Sequence, residues 1–390
     1  MTPGARVAAA IEILDLYLSG TPAEQALTGW GRRHRFAGSK DRAAIRDHVF
    51  DALRRLKSSR ALGGGDTGRA IMIGLLRGQG RDPDTLFTGE GHAPAPLTDA
   101  EGQAGRAPTR AERLDCPDWL LPQFDDSLGP QAEDVLLALR NRAPVFLRVN
   151  TARVTLDQAQ EILSRDGIVT QPHAGADTAL EVLENPRKIN SSRAFLDGVV
   201  ELQDAASQAV VAALQVTPGM RVLDYCAGGG GKALALAAMG AEVVAHDIAP
   251  ARMKDLPARA ARAGCRIQIA TPDSLPEILA VQGPFDLAFA DAPCSGSGSW
   301  RRVPQGKWLL TPDRLSTLHR TQRQVLALLA TLIKPGGVVA YATCSVLTSE
   351  NRVQVNGFVA EHPDYECAFD RQLLPTDGGD GFYVARLGRT

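Results

Sequence analysis

No apolar run in this 390-residue chain approaches the ~18 residues that a membrane span needs. The most apolar stretch near its start, VAAAIEILDLYL, is interrupted by Glu12 and Asp15, so it lacks the unbroken apolar centre of a secretion signal. A cytoplasmic protein is expected. Six cysteines occur, at 116, 226, 265, 294, 344 and 367, yet no two form a CxxC pair and the seven histidines do not cluster with them. That excludes the usual zinc patterns. A chain of this length without an export signal is expected to keep its thiols reduced, so neither a metal nor a disulfide framework is expected. The chain also lacks an excess of either charge. Its 43 basic residues face 44 acidic ones, which excludes a uniformly basic nucleic-acid binder.

That balance conceals an asymmetry. Residues 1–80 hold 13 Lys or Arg against 7 Asp or Glu, net +6, whereas residues 81–390 hold 30 against 37, net −7. The excess is densest over 31–60, with 10 basic residues against 3 acidic. Such a helical stretch can neutralise several phosphates, and it is also what a solvated helix face looks like. Arg32, Arg33 and Arg35 are its candidate nucleic-acid contacts.

Val7, Ile11, Leu14 and Leu18 share one helical face, as do Ile45, Val49, Leu53 and Leu56, and 71–76 makes a third helical fragment. Residues 1–80 thus read as a small all-helical domain. Residues 81–116 are dense in Gly and Pro and have no periodicity, which reads as a linker or a long surface excursion. Residues 117–204 contain a strand at 145–150, a helix with Leu156, Ala159 and Leu163, and short strands near 167–170, 179–183 and 198–202. This suggests a small α+β module of ferredoxin type. Over 205–390 the apolar segments 221–226, 242–247, 266–270, 285–291 and 337–343 alternate with helical patterns. That alternation predicts a doubly wound α/β domain with a largely parallel sheet, whose ligands bind at the carboxyl ends of the strands.

Three such ends carry chemistry. The first is VLDYCAGGGGKA, 222–233, in which glycines allow backbone amides to approach a ligand at a helix start. Lys232 is followed by Ala rather than by the hydroxyl of a phosphate-binding loop, which favours a nucleoside cofactor. Asp247 ends the next strand, where an acid can accept both ribose hydroxyls. Asp273, after the third, either contacts an adenine amino group or caps the turn that follows. The fourth end, DAPCSGSGSW (291–300), places a thiol, Cys294, where amine-modifying methyltransferases place an aromatic ring. A second thiol, Cys344, follows the next strand in ATCSVLTSEN (342–351). Thiols suit carbon chemistry. Carbon 5 of cytosine becomes nucleophilic only when a thiolate adds to carbon 6.

These residues resemble the RsmB/NOP2/Sun-type RNA (cytosine-5)-methyltransferases. The likeness rests on CAGGGGK, DAPCSGSG, the RRxP…KW segment (Arg301, Arg302, Pro304, Lys307, Trp308), ATCSxxxxEN and DGFYVARL (380–387), and KDRAAIRDHVFDALRR (40–55) is similar to the NusB-like domain fused to bacterial members. The resemblance implies a Rossmann-like class I methyltransferase domain preceded by the α+β module and a NusB-like helical domain. It implies S-adenosylmethionine held by Cys226, Ala227, Gly228, Gly229, Gly230, Gly231, Lys232, Asp247, Asp273 and Asp291. It makes Cys344 the nucleophile on carbon 6, gives Cys294 a part in product release, and lets Asp291 hydrogen-bond the target base. Arg301 and Arg302 are then either phosphate contacts or structural ion-pair and capping residues. Ribosomal RNA, 16S above all, is the expected substrate, with tRNA or a non-catalytic assembly role as alternatives, and a monomer is expected. Two departures stand out. The family's Ala-Pro pair is Gly228-Gly229 here, which is expected to loosen the loop and weaken cofactor affinity, and the Gly/Pro-rich 81–116 is expected to shorten or displace the NusB-like unit.

Overall fold

The computed structural model describes residues 1–389. They form two compact units, one of residues 1–142 with 300–309, the other of 143–299 with the chain from Leu310 onward. Among the described residues no helix is long and apolar enough to cross a membrane, and no group of three or more His, Cys, Asp or Glu could hold a metal ion.

The first unit is helical: α1 (Pro3–Leu18), α2 (Ala23–Arg33), α3 (Ser39–Arg54), α4 (Leu56–Gly63) and α5 (Gly68–Gly78). Thr2 and Thr67 cap α1 and α5 by accepting the N–H groups of Ala5 and Ala70, which satisfies otherwise orphaned donors. Val7, Leu14, Ile45, Val49, Leu53 and Ile71 meet in one core. Helices α4 and α5 approach so closely that a Cβ on Gly74 would lie 1.8 Å from the Ser59 carbonyl oxygen, so only glycine fits there.

The 81–116 stretch is not a linker. Leu86 and Phe87 are buried in the helical core, and Arg77 donates to the carbonyls of Leu62 (2.9 Å), Glu101 (2.7 Å) and Ala104 (2.6 Å). Arg69 pairs with Glu101 at 2.6 Å. Arginine side chains thus satisfy backbone groups that secondary structure would otherwise pair, and this leaves no periodicity to read. The helices Leu121–Leu128 and Ala132–Ala138 also belong to this unit, which reaches residue 142 instead of stopping at 80. So does 300–309, where Arg54 donates to the Arg301 carbonyl and Trp308 to that of Leu53, both at 2.7 Å.

The second unit begins with β1 (Val145–Val149), a helix (Leu156–Arg165), β2 (Val169–Pro172), β3 (Ala179–Glu184), a short helix (Arg193–Leu196) and β4 (Val200–Leu202). The sheet is antiparallel, in order β2-β3-β1-β4, which is the βαββαβ pattern of ferredoxin-like modules. Then come β5 (Arg221–Asp224), β6 (Glu242–His246), β7 (Ile267–Ala270), β8 (Phe285–Asp291), β9 (Ile333–Thr343), β10 (Tyr365–Leu373) and β11 (Phe382–Arg389). Their order is β7-β6-β5-β8-β9-β11-β10, parallel except for β11, which runs antiparallel to both neighbours. Successive residues feed opposite cores: Val222, Leu287 and Phe289 one, Leu223, Ala288 and Ala290 the other. A sheet buried on both faces explains why β8 reads as a nearly continuous apolar run. The order reverses at β5 and β8, so a crevice opens beyond their carboxyl ends.

Candidate active site

The glycine turn joins β5 to the helix Gly231–Ala238. Gly228 and Gly230 have φ of +52° and +79°, values that favour glycine. The turn that carries Gly228-Gly229 is tied to its surroundings by hydrogen bonds. The Gly228 N–H donates to Asp247 Oδ2 and the Ala227 N–H to the His246 carbonyl, both at 2.9 Å. Arg259 binds the Gly229 carbonyl, and Arg148 donates to the Gly231 carbonyl at 2.6 Å. Glu201 holds Arg259 at 3.0 Å, and Gln203 holds Arg148 at 2.8 Å. None of these arginines has a signal in the motif itself. Cys226 lies in the turn, and burial pushes its thiol well above the ordinary range.

Cys294 and Cys344 follow the adjacent parallel strands β8 and β9, in which Asp291 is level with Ala342. That register brings the two sulfurs to 3.4 Å. Cys294 is raised well above its usual value, first by the hydrogen bond to Cys344 and then by burial. That favours the protonated form of Cys294.

Both thiol loops are fastened to Glu350, a fully buried residue that motif reading passed over as part of an "EN" pair. Its carboxylate accepts from Ser295 N (2.8 Å), Ser295 Oγ (2.5 Å), Ser345 Oγ (2.6 Å) and Gln322 Nε2 (3.1 Å). Ser295 follows Cys294 and Ser345 follows Cys344, so one carboxylate sets both loops. Asn351 adds bonds to Thr343 Oγ1 (2.5 Å) and the Ser345 carbonyl (2.9 Å).

Three charged groups line the same strand ends. Lys232 Nζ donates to Asp291 Oδ2 at 2.6 Å and lies over the Phe382 ring at 5.0 Å. Burial works against the Lys232 cation, but Asp291 outweighs it and the net shift is upward. Asp224 is buried at the end of β5, where no side chain donates to its carboxylate and the Ala233 N–H alone faces it; Asp291 Oδ1 has no hydrogen-bond partner. Burial raises Asp224 to about 7, with the Lys232 charge opposing it. Orphaned buried acceptors of this kind call for a donor or cation from outside the chain.

Asp247 is buried with both oxygens engaged, by the N–H groups of Gly228 and Ala249 and by Arg252 at 3.0 Å. The residue after it, Ile248, is 79% exposed, an apolar face that sequence reading missed. Asp273 lies exposed in the turn after β7. Arg32, Arg33 and Arg35 are exposed on the helical unit, and Arg33 pairs loosely with Glu12 at 3.5 Å. Arg301 corrects the phosphate-contact reading: it is 4% exposed, because 300–309 packs into the helical unit, where a phosphate has no access. Arg302 is exposed. Lys307 of the same segment is buried, and burial lowers it to about 8.

A seven-stranded sheet with this order, a glycine turn at its switch point and two thiols at neighbouring strand ends define a Rossmann-like methyltransferase domain. Comparison with known proteins agrees. Residues 211–388 match the family described as 16S rRNA methyltransferase RsmB/F, and residues 116–190 match an RsmF/B-like ferredoxin-like domain. Ribosomal RNA small subunit methyltransferase B of Vibrio cholerae is 36% identical over 302 residues, covering 75% of this chain and 69% of that one. The crystal structure of PH0851 superposes with a TM-score of 0.75 at 22% identity over 99% of each chain. A methyltransferase homologue from Pyrococcus horikoshii gives 0.62 at 24% identity over 72% of this chain and 97% of that one. The chain belongs to the RsmB/F family.

Proposed function

We propose that this protein transfers a methyl group from S-adenosylmethionine to carbon 5 of a cytosine in RNA, with 16S ribosomal RNA as substrate and Cys344 as nucleophile. The observation that carries the reading is the pair of sulfurs 3.4 Å apart beside the Lys232–Asp291 pair. The name of the Vibrio cholerae relative supports the choice of substrate.

The residues suit the cofactor. Asp291 Oδ1 and the Asp224 carboxylate are acceptors for its cationic end, the turn 226–232 admits its close approach, Ile248 offers a face to its base and Asp273 a carboxylate to its adenine, while Asp247, whose oxygens Gly228, Ala249 and Arg252 already engage, braces the turn on the ribose side. When bound there, S-adenosylmethionine supplies an electrophilic methyl group. Cys344 adds through sulfur to carbon 6, and the electron pair of the 5,6 double bond becomes available at carbon 5. Asp291 orients the base. Once carbon 5 carries the methyl group, a general base takes its proton, the electron pair of that C–H bond re-forms the double bond, and the carbon 6–sulfur bond breaks with its pair going to Cys344. Cys294, protonated and in contact with Cys344, assists that departure. The cytosine must be unpaired or flipped for the thiol to reach it. The helical unit acts as the NusB-like RNA-binding part, with Arg32, Arg33 and Arg35 as phosphate contacts and Arg302 as a further one.

RNA containing 5-fluorocytosine should trap a covalent adduct that Cys344→Ala abolishes, while Cys294→Ala should accumulate an adduct on ordinary RNA. An adduct that survives Cys344→Ala would move the nucleophile to Cys294. Bisulfite sequencing of RNA from a deletion strain should show one 16S cytosine losing its mark; a mark lost only from tRNA would overturn the choice of substrate.

A further inference from the structure

Between residues 30 and 36, WGRRHRF, rings alternate with cations, and the function above uses only the cations. Trp30 is buried and donates its indole N–H to Glu12 at 3.1 Å. The His34 imidazole lies flat on it, with centroids 4.2 Å apart and planes at 16°. His34 Nδ1 is 2.9 Å from the Trp30 carbonyl, which can only accept, so in the neutral ring Nε2 is left as an acceptor. Phe36 stands edge-on to His34 at 5.8 Å and 85°. It is 72% exposed, the one aromatic among the exposed large apolar side chains of the described residues.

These rings border a cavity of about 500 Å³, within the ~300–1,000 Å³ of pockets that take small organic ligands. Ala5, Ala8 and Ala9 of α1 line it together with Glu12 and Glu90, and the short alanine side chains leave it its depth. A neighbouring groove shares Trp30 and is lined by Arg32, Arg42 and Arg46. A single exposed phenylalanine is ordinary. A slot walled by rings, with cations in the same short segment, is what an unstacked base and its flanking phosphates require.

We propose that this slot binds one unstacked nucleobase of a single-stranded RNA segment, the base stacking on the exposed Phe36 ring with the Trp30–His34 stack as the side wall, while Arg32, Arg33 and Arg35 hold the adjoining phosphates. The proposal rests on the RNA reading above and adds a second binding site to it. Glu12 and Glu90 accept hydrogen bonds and have none to donate, so bases with an exocyclic amino group, cytosine, adenine and guanine, are favoured over uracil.

The test is fluorescence anisotropy of the full-length protein with short labelled oligo(C), oligo(A) and oligo(U) strands. Phe36→Ala should weaken oligo(C) binding about 5- to 150-fold, the equivalent of ~1–3 kcal/mol for one base stacked on an aromatic ring. Phe36→Leu, which keeps apolar surface without a ring, should fall between wild type and Phe36→Ala. The loss should persist as salt rises, whereas that of Arg33→Gln with Arg35→Gln should fade, because only the latter is a counterion effect. Wild-type affinity in Phe36→Ala overturns the slot. If the arginine variant weakens binding and Phe36→Ala does not, the slot fails and the RNA reading stands. A wild-type protein that binds none of the strands and methylates no RNA overturns both.

Discussion

In the glycine turn the chain is gripped at its carbonyls, Gly229 by Arg259 and Gly231 by Arg148; around the thiols it is gripped at its donors, the N–H of Ser295 and the hydroxyls of Ser295 and Ser345, by Glu350. The two clamps have opposite sign, and of their charged residues Arg259 alone is partly exposed, Arg148 and Glu350 both being buried. Arg259 stands at the surface end of its contact, with 23% of its side chain exposed, while Glu350 is fully buried. The difference teaches where each loop can tolerate loss. Water can replace a guanidinium on a surface carbonyl, but nothing replaces a carboxylate among four buried donors.

The largest effect should therefore come from Glu350→Ala. It strands the Ser295, Ser345 and Gln322 donors, and urea denaturation should show a loss of about 3 kcal/mol or more, since each buried unmet group costs ~1–3 kcal/mol. Methyl transfer should fall further than folding alone explains, because Glu350 anchors both loops that bring the sulfurs to 3.4 Å, alongside the Ser297–Ser345 hydroxyl bond at 2.8 Å and the Gly298 N–H on the Cys344 carbonyl at 3.0 Å. Unchanged adduct formation at full folding would remove Glu350 from the positioning of the thiols.

Asp224 should produce the next effect, through pH. Its folded value, about 7, lies above the ~4 of an unfolded aspartate, so the native state binds the proton more tightly. The stability it contributes is full below pH ~4 and is lost as pH rises towards 7. The Tm of the ligand-free protein should fall over that window, and Asp224→Asn should flatten the slope. An equal slope in both proteins would show that the carboxylate already has a partner in solution.

Arg259→Ala should be milder: cofactor affinity, read by calorimetry, should drop several-fold while global stability moves by about 1 kcal/mol or less, as for other partly exposed pairs. Gly228→Ala should have the smallest effect on cofactor affinity, though not on stability. At φ +52° the added methyl meets a flexible Arg252 nitrogen at 3.1 Å, so the cost is the left-handed backbone itself, about 1–2 kcal/mol at most. If Gly228→Ala weakened cofactor binding more than Arg259→Ala, the arginines would not be what stiffens the turn.

Much of the catalytic sheet was legible because alternation of apolar strands and helices is a local pattern, and β5 to β9 lie within a few residues of where it places them. The helices α2 and α4 were passed over. Their apolar faces are short, and α4 is rich in Ser and Gly because it must lie close against α5. The reading of 81–116 as a linker failed because arginines from α5, distant in sequence, satisfy its backbone. Arg301 looked like a phosphate contact because exposure is not written in a motif, and the packing of 300–309 buried it.

Sequence alone determined which reacting groups are present: two thiols after successive strands, each followed by serine, a glycine turn with its lysine, and acids at strand ends. Covalent identity and short-range periodicity are local properties, so one chain suffices to read them. Tertiary structure alone decided that the sulfurs touch, that Glu350 ties their loops, that arginines brace a turn lacking its proline, and that Asp224 is buried with no side chain donating to it. Each of these depends on contacts between residues dozens of positions apart, and their energies come from burial and register, which no short stretch of sequence records.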